Sequence, residues 1–242
     1  MAKFVDQIAV VTGASRGIGE AVALDLAAQG ATLCLVGRNL EALSAIAERA
    51  RRLNSPQVKS YQVDLRVDED IQRLALCIQQ DFGQVDLLVH SAGVISMGQL
   101  ATAPVEDFDW QYRINVRAPY LLTQALLPML TACQGQIVFI NSSVGLNAKA
   151  GVGQYAATKH ALKAIADSLR EEVNADGLRV LSVFLGRTAS PMQEAVHKME
   201  GKVYHPERLI QPQDAARAVV DALSLARSVE VTNIKIRPLQ KT

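Results

Sequence analysis

The sequence predicts a single α/β domain, a doubly wound, seven-stranded parallel sheet with helices on both faces. Three observations carry that expectation. Short runs rich in Val, Ile and Leu alternate with longer segments of helical spacing, as a parallel sheet requires because each crossover needs a helix. The runs are apolar throughout, as strands covered on both faces are. No Pro/Gly-rich linker, repeat or low-complexity tract divides the 242 residues, so residues 1–242 read as one domain of a size that one fold can hold.

The strands are expected at Ile8–Val11, Thr32–Val36, Val58–Val63, Leu87–His90, Ile137–Ile140, Val180–Phe184 and near Val231–Ile236. The clearest helix runs from about Asp107 to Leu130, where Ile114, Ala118, Leu121, Leu122, Ala125, Leu126 and Met129 recur at three- and four-residue intervals. Pro119 inside it predicts a kink.

Composition excludes several classes of partner. The net charge of +1 gives no long-range positive field for nucleic acid. Met1 to Val11 reaches its turn after an apolar run too short for a signal peptide or a membrane span, which reads as a buried strand. Cys34, Cys77 and Cys133 are scattered and odd in number, without disulfide or zinc spacing, and no metal is expected. A reducing, cytoplasmic setting and a small-molecule partner fit these features.

The first strand runs into Thr12-Gly13-Ala14-Ser15-Arg16-Gly17-Ile18-Gly19, and a helical segment follows. A glycine-rich turn lets the backbone approach a pyrophosphate, and the helix offers unpaired N–H groups and the positive end of its dipole. The strand–turn–helix context makes Gly13, Ser15, Arg16, Gly17, Ile18 and Gly19 a dinucleotide-binding candidate of Rossmann type. At the end of the second strand, where an acidic residue would bind a ribose 2′-hydroxyl, the chain reads Val36-Gly37-Arg38. Arg16 and Arg38 suit a 2′-phosphate, because guanidinium forms bidentate, charge-assisted bonds with phosphate, so NADP(H) is expected over NAD(H). The alternative reading is that both arginines are solvated surface charges. Asp64 and Leu65 follow the third strand as further cofactor candidates; the Asp64 carboxylate can accept from the adenine amino group or cap the next helix.

Tyr155 and Lys159 stand four residues apart in a helical segment and share one face. A free phenol titrates near 10, so proton exchange near neutrality requires lowering it by about three units, roughly 4 kcal/mol. One ammonium at about 4 Å, in an effective dielectric near 20, supplies on the order of 4 kcal/mol. Spacing alone would leave the two as an ordinary half-exposed helix pair.

Taken together, the Thr12–Gly19 loop, Asn115, Ser142 thirteen positions before the tyrosine, and Tyr155 with Lys159 resemble the short-chain dehydrogenase/reductase family, in its order and spacing and along the whole chain. That resemblance implies an NADP(H)-dependent oxidoreductase interconverting a carbonyl and an alcohol. Tyr155 would be the general acid/base, Lys159 would lower its pKa and hold the nicotinamide ribose, and Ser142 would bond the substrate oxygen. Asn115 would help hold a water linking the lysine to solvent. The resemblance also implies close approach to the cofactor at Ala92-Gly93, carboxamide contacts from Thr188 or Ser190, and a homodimer or homotetramer.

The chain departs from the family pattern in places. After the fourth strand it has His90-Ser91-Ala92-Gly93 where the family commonly has Asn-Asn-Ala-Gly, and His90 reads as a core histidine bonded to a neighbouring strand. The usual Pro-Gly after the sixth strand is Leu185-Gly186, with Gly186 counted as a cofactor-binding turn residue. The ending Val231–Pro238 lacks the Asp-Gly-Gly frequent in acyl-carrier-protein reductases. Substrate choice is expected in loops 94–100, 144–153 and 191–210. The last carries a mixed set of charges that reads as a solvated face or a mobile lid. A competing class is an NADP(H)-binding redox sensor without turnover, which would be expected to have lost Asn115, Ser142, Tyr155 and Lys159.

Overall fold

The computed structural model describes residues 2–240. Seven parallel strands form one sheet in the order β3-β2-β1-β4-β5-β6-β7. They are β1 (Ile8–Thr12), β2 (Thr32–Gly37), β3 (Val58–Gln62), β4 (Leu87–His90), β5 (Gln136–Ser142), β6 (Arg179–Leu185) and β7 (Asn233–Ile236). The helices are α1 (Gly17–Ala28), α2 (Leu40–Leu53), α3 (Asp68–Phe82), α4 (Val105–Tyr112), α5 (Ala118–Ala132), α6 (Gly153–Val173), α7 (Pro191–Met199) and α8 (Pro212–Leu223). No helix among the described residues is long and apolar enough to cross a membrane.

The period-two alternation of side chains along a strand sorts the core into two layers. Ala9 and Val11 of β1, Leu33 and Leu35 of β2, and Val138 and Ile140 of β5 pack with α1, α2 and α8. Ile8 and Val10, Cys34 and Val36, and Ile137 and Phe139 point the other way, against α3, α5 and α6. The chain reverses its direction of strand addition between β1 and β4, so the turns after these strands diverge and leave a crevice at their carboxyl ends.

The outer strands are not buried along their length. β7 alternates between exposed and half-buried residues and β3 is half-exposed, because each has one neighbour only. Apolar side chains therefore mark the inner strands better than the edges.

The helix expected over 107–130 is also not uniform. Residues Arg113–Arg117 form a wide π-turn between α4 and α5. Pro119 has no N–H for the carbonyl of Asn115 and its ring crowds that carbonyl, which the wider turn relieves. The interruption thus falls one turn before the proline and includes Asn115.

His90 is buried in the core, as expected, but its partner comes from a helix. Its Nε2 lies 2.8 Å from Thr123 Oγ1 of α5, and its ring stacks on Phe139 at 4.9 Å between centroids. Burial lowers its pKa from 6.5 to about 3. Between those values the unfolded chain binds the proton that the folded chain refuses, so stability is present near neutrality and is lost on acidification. The expected cost is on the order of 4 kcal/mol. Urea unfolding of the wild type and of His90→Asn from about pH 7 to about pH 4 checks this: the variant should have a distinctly flatter acid limb, and parallel limbs would remove His90 as its source.

Candidate active site

The turn after β1 approaches the turn after β4 more closely than side chains permit. The Thr12 hydroxyl accepts from the N–H groups of Ser91 and Ala92 at 3.1 and 3.2 Å. Gly13 follows with φ +66°, and a Cβ on it would lie 2.8 Å from the Ala92 Cα. Gly17 has φ +63°, and a Cβ on Gly19 would run into the Gly13 carbonyl. All three glycines are therefore fixed by geometry: two by the left-handed backbone region, two by close approach.

These turns line a cavity of about 190 Å³ that gathers Gly13, Ser15, Arg16, Gly17, Ile18, Gly19, Arg38, Asp64, Leu65, Ala92, Gly93 and Ser190. The start of α1 points its unpaired N–H groups there. Arg16 and Arg38 are exposed, and neither has an ion-pair partner among the described residues. Asp64 does not cap α3: its carboxylate accepts from Arg66 Nε at 2.9 Å and from the Arg66 N–H at 3.0 Å. Arg66 foremost, with Arg38 also contributing, holds the Asp64 carboxyl below the usual carboxylate range.

A second cavity, of about 240 Å³, shares Ile18, Ser91, Gly93 and Ser190 with the first and contains Ser142, Tyr155, Lys159, Gly186 and Thr188. Ser142 ends β5, one residue beyond Asn141, whose Oδ1 accepts from the Ser142 N–H at 2.7 Å and whose Nδ2 donates to the Lys159 carbonyl at 3.1 Å. Asn141 thus ties the serine to the helix that carries the other two groups. No motif in the sequence singled it out.

The electrostatics differ from the sequence expectation. Lys159 is 4% exposed, donates from Nζ to the Ile140 carbonyl at 3.1 Å, and lies 5.8 Å from the centroid of the Tyr155 ring. Burial lowers the Lys159 pKa to about 8. Burial also pushes Tyr155 up to about 12, against a smaller opposing pull from Ser142. In the free chain, loss of hydration outweighs the hydrogen bond with Ser142, and the phenol stays protonated.

Asn115 is fully buried and lines neither cavity. Its amide clamps the loop after β4: Oδ1 accepts from the Val94 N–H and Nδ2 donates to the Val94 carbonyl, both at 2.9 Å. Nδ2 also donates to Thr158 Oγ1 at 3.1 Å, next to Lys159. The side chain is therefore fully engaged in positioning. Gln111, one helical turn earlier, clamps the same loop by accepting from the Ser96 N–H at 3.0 Å.

Two further expectations change. Gly186 is not in the left-handed region; a Cβ there would meet Pro238 at 2.9 Å, so close approach of the chain after β7 requires the glycine. The 191–210 segment is not uniformly a solvated face, because it folds into α7 and buries His197. Ser190 caps α7 by accepting from the Gln193 N–H at 3.2 Å, and Thr188 donates to the Gly186 carbonyl at 3.2 Å.

Residues 7–201 match the family model described as short chain dehydrogenase. An uncharacterized oxidoreductase of Staphylococcus epidermidis is 35% identical over 240 residues, covering 99% of this chain and 100% of that protein. An alcohol dehydrogenase from the archaeon Thermococcus sibiricus, complexed with 5-hydroxy-NADP, superimposes with a TM-score of 0.89 at 27% identity over 98% of each chain. A metagenomic short-chain oxidoreductase in complex with NADP gives a TM-score of 0.83 at 30% identity, covering 99% of this chain and 100% of that one.

The clamp on Val94 has a measurable worth. Asn115→Ala leaves the Val94 N–H and carbonyl without partners and should lower the urea unfolding free energy by about 2 kcal/mol. A loss below about 0.5 kcal/mol would show that the loop does not depend on this amide.

Proposed function

The chain belongs to the short-chain dehydrogenase/reductase family of oxidoreductases, and on that premise we propose an NADP(H)-dependent enzyme that interconverts a carbonyl and an alcohol. The observation that carries the reading is the convergence of Ser142, Tyr155 and Lys159 on one cavity continuous with the glycine-lined one.

The residues present fit the cofactor. Gly13 and Gly19 let the backbone of the turns after β1 and β4 close together along the first cavity, α1 offers its N-terminus to a pyrophosphate, and Arg16 and Arg38 are free to hold a 2′-phosphate. Two structural relatives are complexes with NADP or 5-hydroxy-NADP, which supports the same choice. Ala92 and Gly93 would back the dinucleotide, Lys159 would hold the ribose hydroxyls, and Thr188 and Ser190 would meet the carboxamide. When bound, NADP(H) supplies or accepts the hydride and, oxidised, brings one positive charge.

In reduction, the Tyr155 hydroxyl gives its proton to the carbonyl oxygen; in oxidation, the phenolate takes it from the alcohol. Ser142 donates a hydrogen bond to that oxygen as charge develops. Lys159, titrating at about 8, is able to release and regain a proton near neutrality. Asn115 acts through its hold on Val94 and Thr158. Assembly into a homodimer or homotetramer and a cytoplasmic location complete the proposal.

NADPH oxidation with a panel of aldehydes and ketones is the test. Turnover should fall by about a hundredfold or more in Tyr155→Phe while NADPH binding persists. Binding without turnover of any carbonyl would favour a redox sensor instead, and unchanged turnover in Tyr155→Phe would remove its role. Cofactor choice is checked separately: Arg38→Asp should weaken NADPH by about tenfold or more relative to NADH, and equal effects on the two would remove the 2′-phosphate argument.

A further inference from the structure

The cavity around Tyr155 has a charged wall that the chemistry above does not use. Arg187, the residue after Gly186, lines it together with Glu200, which follows α7. Arg187 Nη2 donates to both Glu200 oxygens, at 2.6 and 2.8 Å, and Nη1 lies 3.3 Å from His197 Nε2. His197 Nδ1 stands 2.8 Å from the Gln193 carbonyl, which can only accept. Nδ1 therefore carries the proton, and Nε2 is left to accept from Arg187. The guanidinium is thus held in one orientation on two sides.

Two of its five N–H donors, on Nε and on Nη1, have no acceptor among the described residues. The charges around it do not cancel. Glu200 faces Arg187 and, at 3.0 Å, Lys202. Lys149 lines the same cavity, is exposed, and has no ion-pair partner among the described residues. Arg187 and Lys149 thus face the cavity beside one carboxylate, which Lys202 pairs from outside the lining. Glu194, Lys198, Lys202, His205, Glu207 and Arg208 do not line the cavity, so of the charged side chains in 191–210 only Glu200 faces it.

We infer that this wall is an anion subsite, and that the substrate is a short carbonyl compound bearing a carboxylate, an oxo acid or the corresponding hydroxy acid. The inference rests on the carbonyl–alcohol reading above and adds the substrate class. The carboxylate takes one unspent donor of Arg187 in a single charge-assisted hydrogen bond, because both hydrogens of Nη2, which either bidentate edge would need, are spent on Glu200. Lys149 adds attraction from the exposed side, more weakly because water screens it. Ile95, Met97, Val144 and Val196 add apolar lining to the same cavity, beside the polar Ser143 and Gln193. Glu200 and His197 are positioning residues that hold the guanidinium.

The test follows NADPH oxidation with pyruvate, acetoacetate and levulinate, each beside its methyl ester, and with unsubstituted aldehydes. The best acid should exceed its ester in kcat/KM by about tenfold. Arg187→Met should remove that advantage chiefly through KM, leaving the esters within about twofold of wild type. Lys149→Met, at an exposed position that cannot disturb folding greatly, should reduce the advantage by about threefold and make it less sensitive to salt. Esters equal to or better than acids in the wild type, or a loss common to acids and esters in both variants, would overturn the subsite. Turnover of aldehydes and esters without acids removes the subsite and leaves the carbonyl–alcohol reading standing. No turnover of any carbonyl removes both.

Discussion

The site depends on one steric constraint, the approach of the turn after β1 to the turn after β4. The Thr12 hydroxyl bridges them, and Gly13 has no room for a Cβ against Ala92. Both turns lie where strand order reverses, so the closest backbone contact sits at the base of the crevice. From there α1 leaves with its N-terminus facing the first cavity. The loop through Gly93 leads to the second. Gly93 itself stands close to both Asn115 and Lys159: a Cβ there would meet Asn115 Oδ1 at 3.5 Å and Lys159 Nζ at 3.7 Å. The glycine-lined cavity and the groups proposed to transfer protons are thereby joined through backbone.

Desolvation sets the chemistry of that junction. Lys159 and Tyr155 are both driven toward their neutral forms, the lysine to about 8 and the phenol to about 12. The Ile140 carbonyl engages the ammonium without neutralising it. In the proposed reaction, a resting chain with a protonated phenol is ready to donate in reduction but not to accept in oxidation. Positive charge added beside the pair would shift that balance by electrostatics alone, since a low-dielectric cavity strengthens each such interaction.

Much of this arrangement was legible in the sequence, for reasons that also mark the limits. Apolar runs marked the five inner strands because burial on both faces leaves a continuous signature, which the edge strands β3 and β7 carry only in part; polar ends were lost as well, since β5 extends through Asn141 to Ser142 and β6 begins at Arg179. The glycine loop was legible because only glycine fits there. Side-chain partners were not. The engagement of the Asn115 amide with Val94 and Thr158 had no counterpart in the sequence reading; a hydrogen bond across 21 residues leaves no periodic trace. The raised pKa of Tyr155 in the free chain was not legible for a related reason, because helical spacing gives the distance to an ammonium but not the water lost around both groups. Likewise, the charges of 191–210 could be sorted only once α7 had buried His197 and turned Glu200 toward Arg187.

The most direct test is to titrate the Tyr155 phenol itself, by ultraviolet difference spectroscopy of wild type against Tyr155→Phe, without and with NADP⁺. The prediction is a pKa of about 12 in the free protein that falls by several units toward neutrality when NADP⁺ is bound. A phenol already ionising near neutrality in the free protein, or one that stays at its high value in the complex, would contradict the claim that burial sets the resting state and added charge releases it.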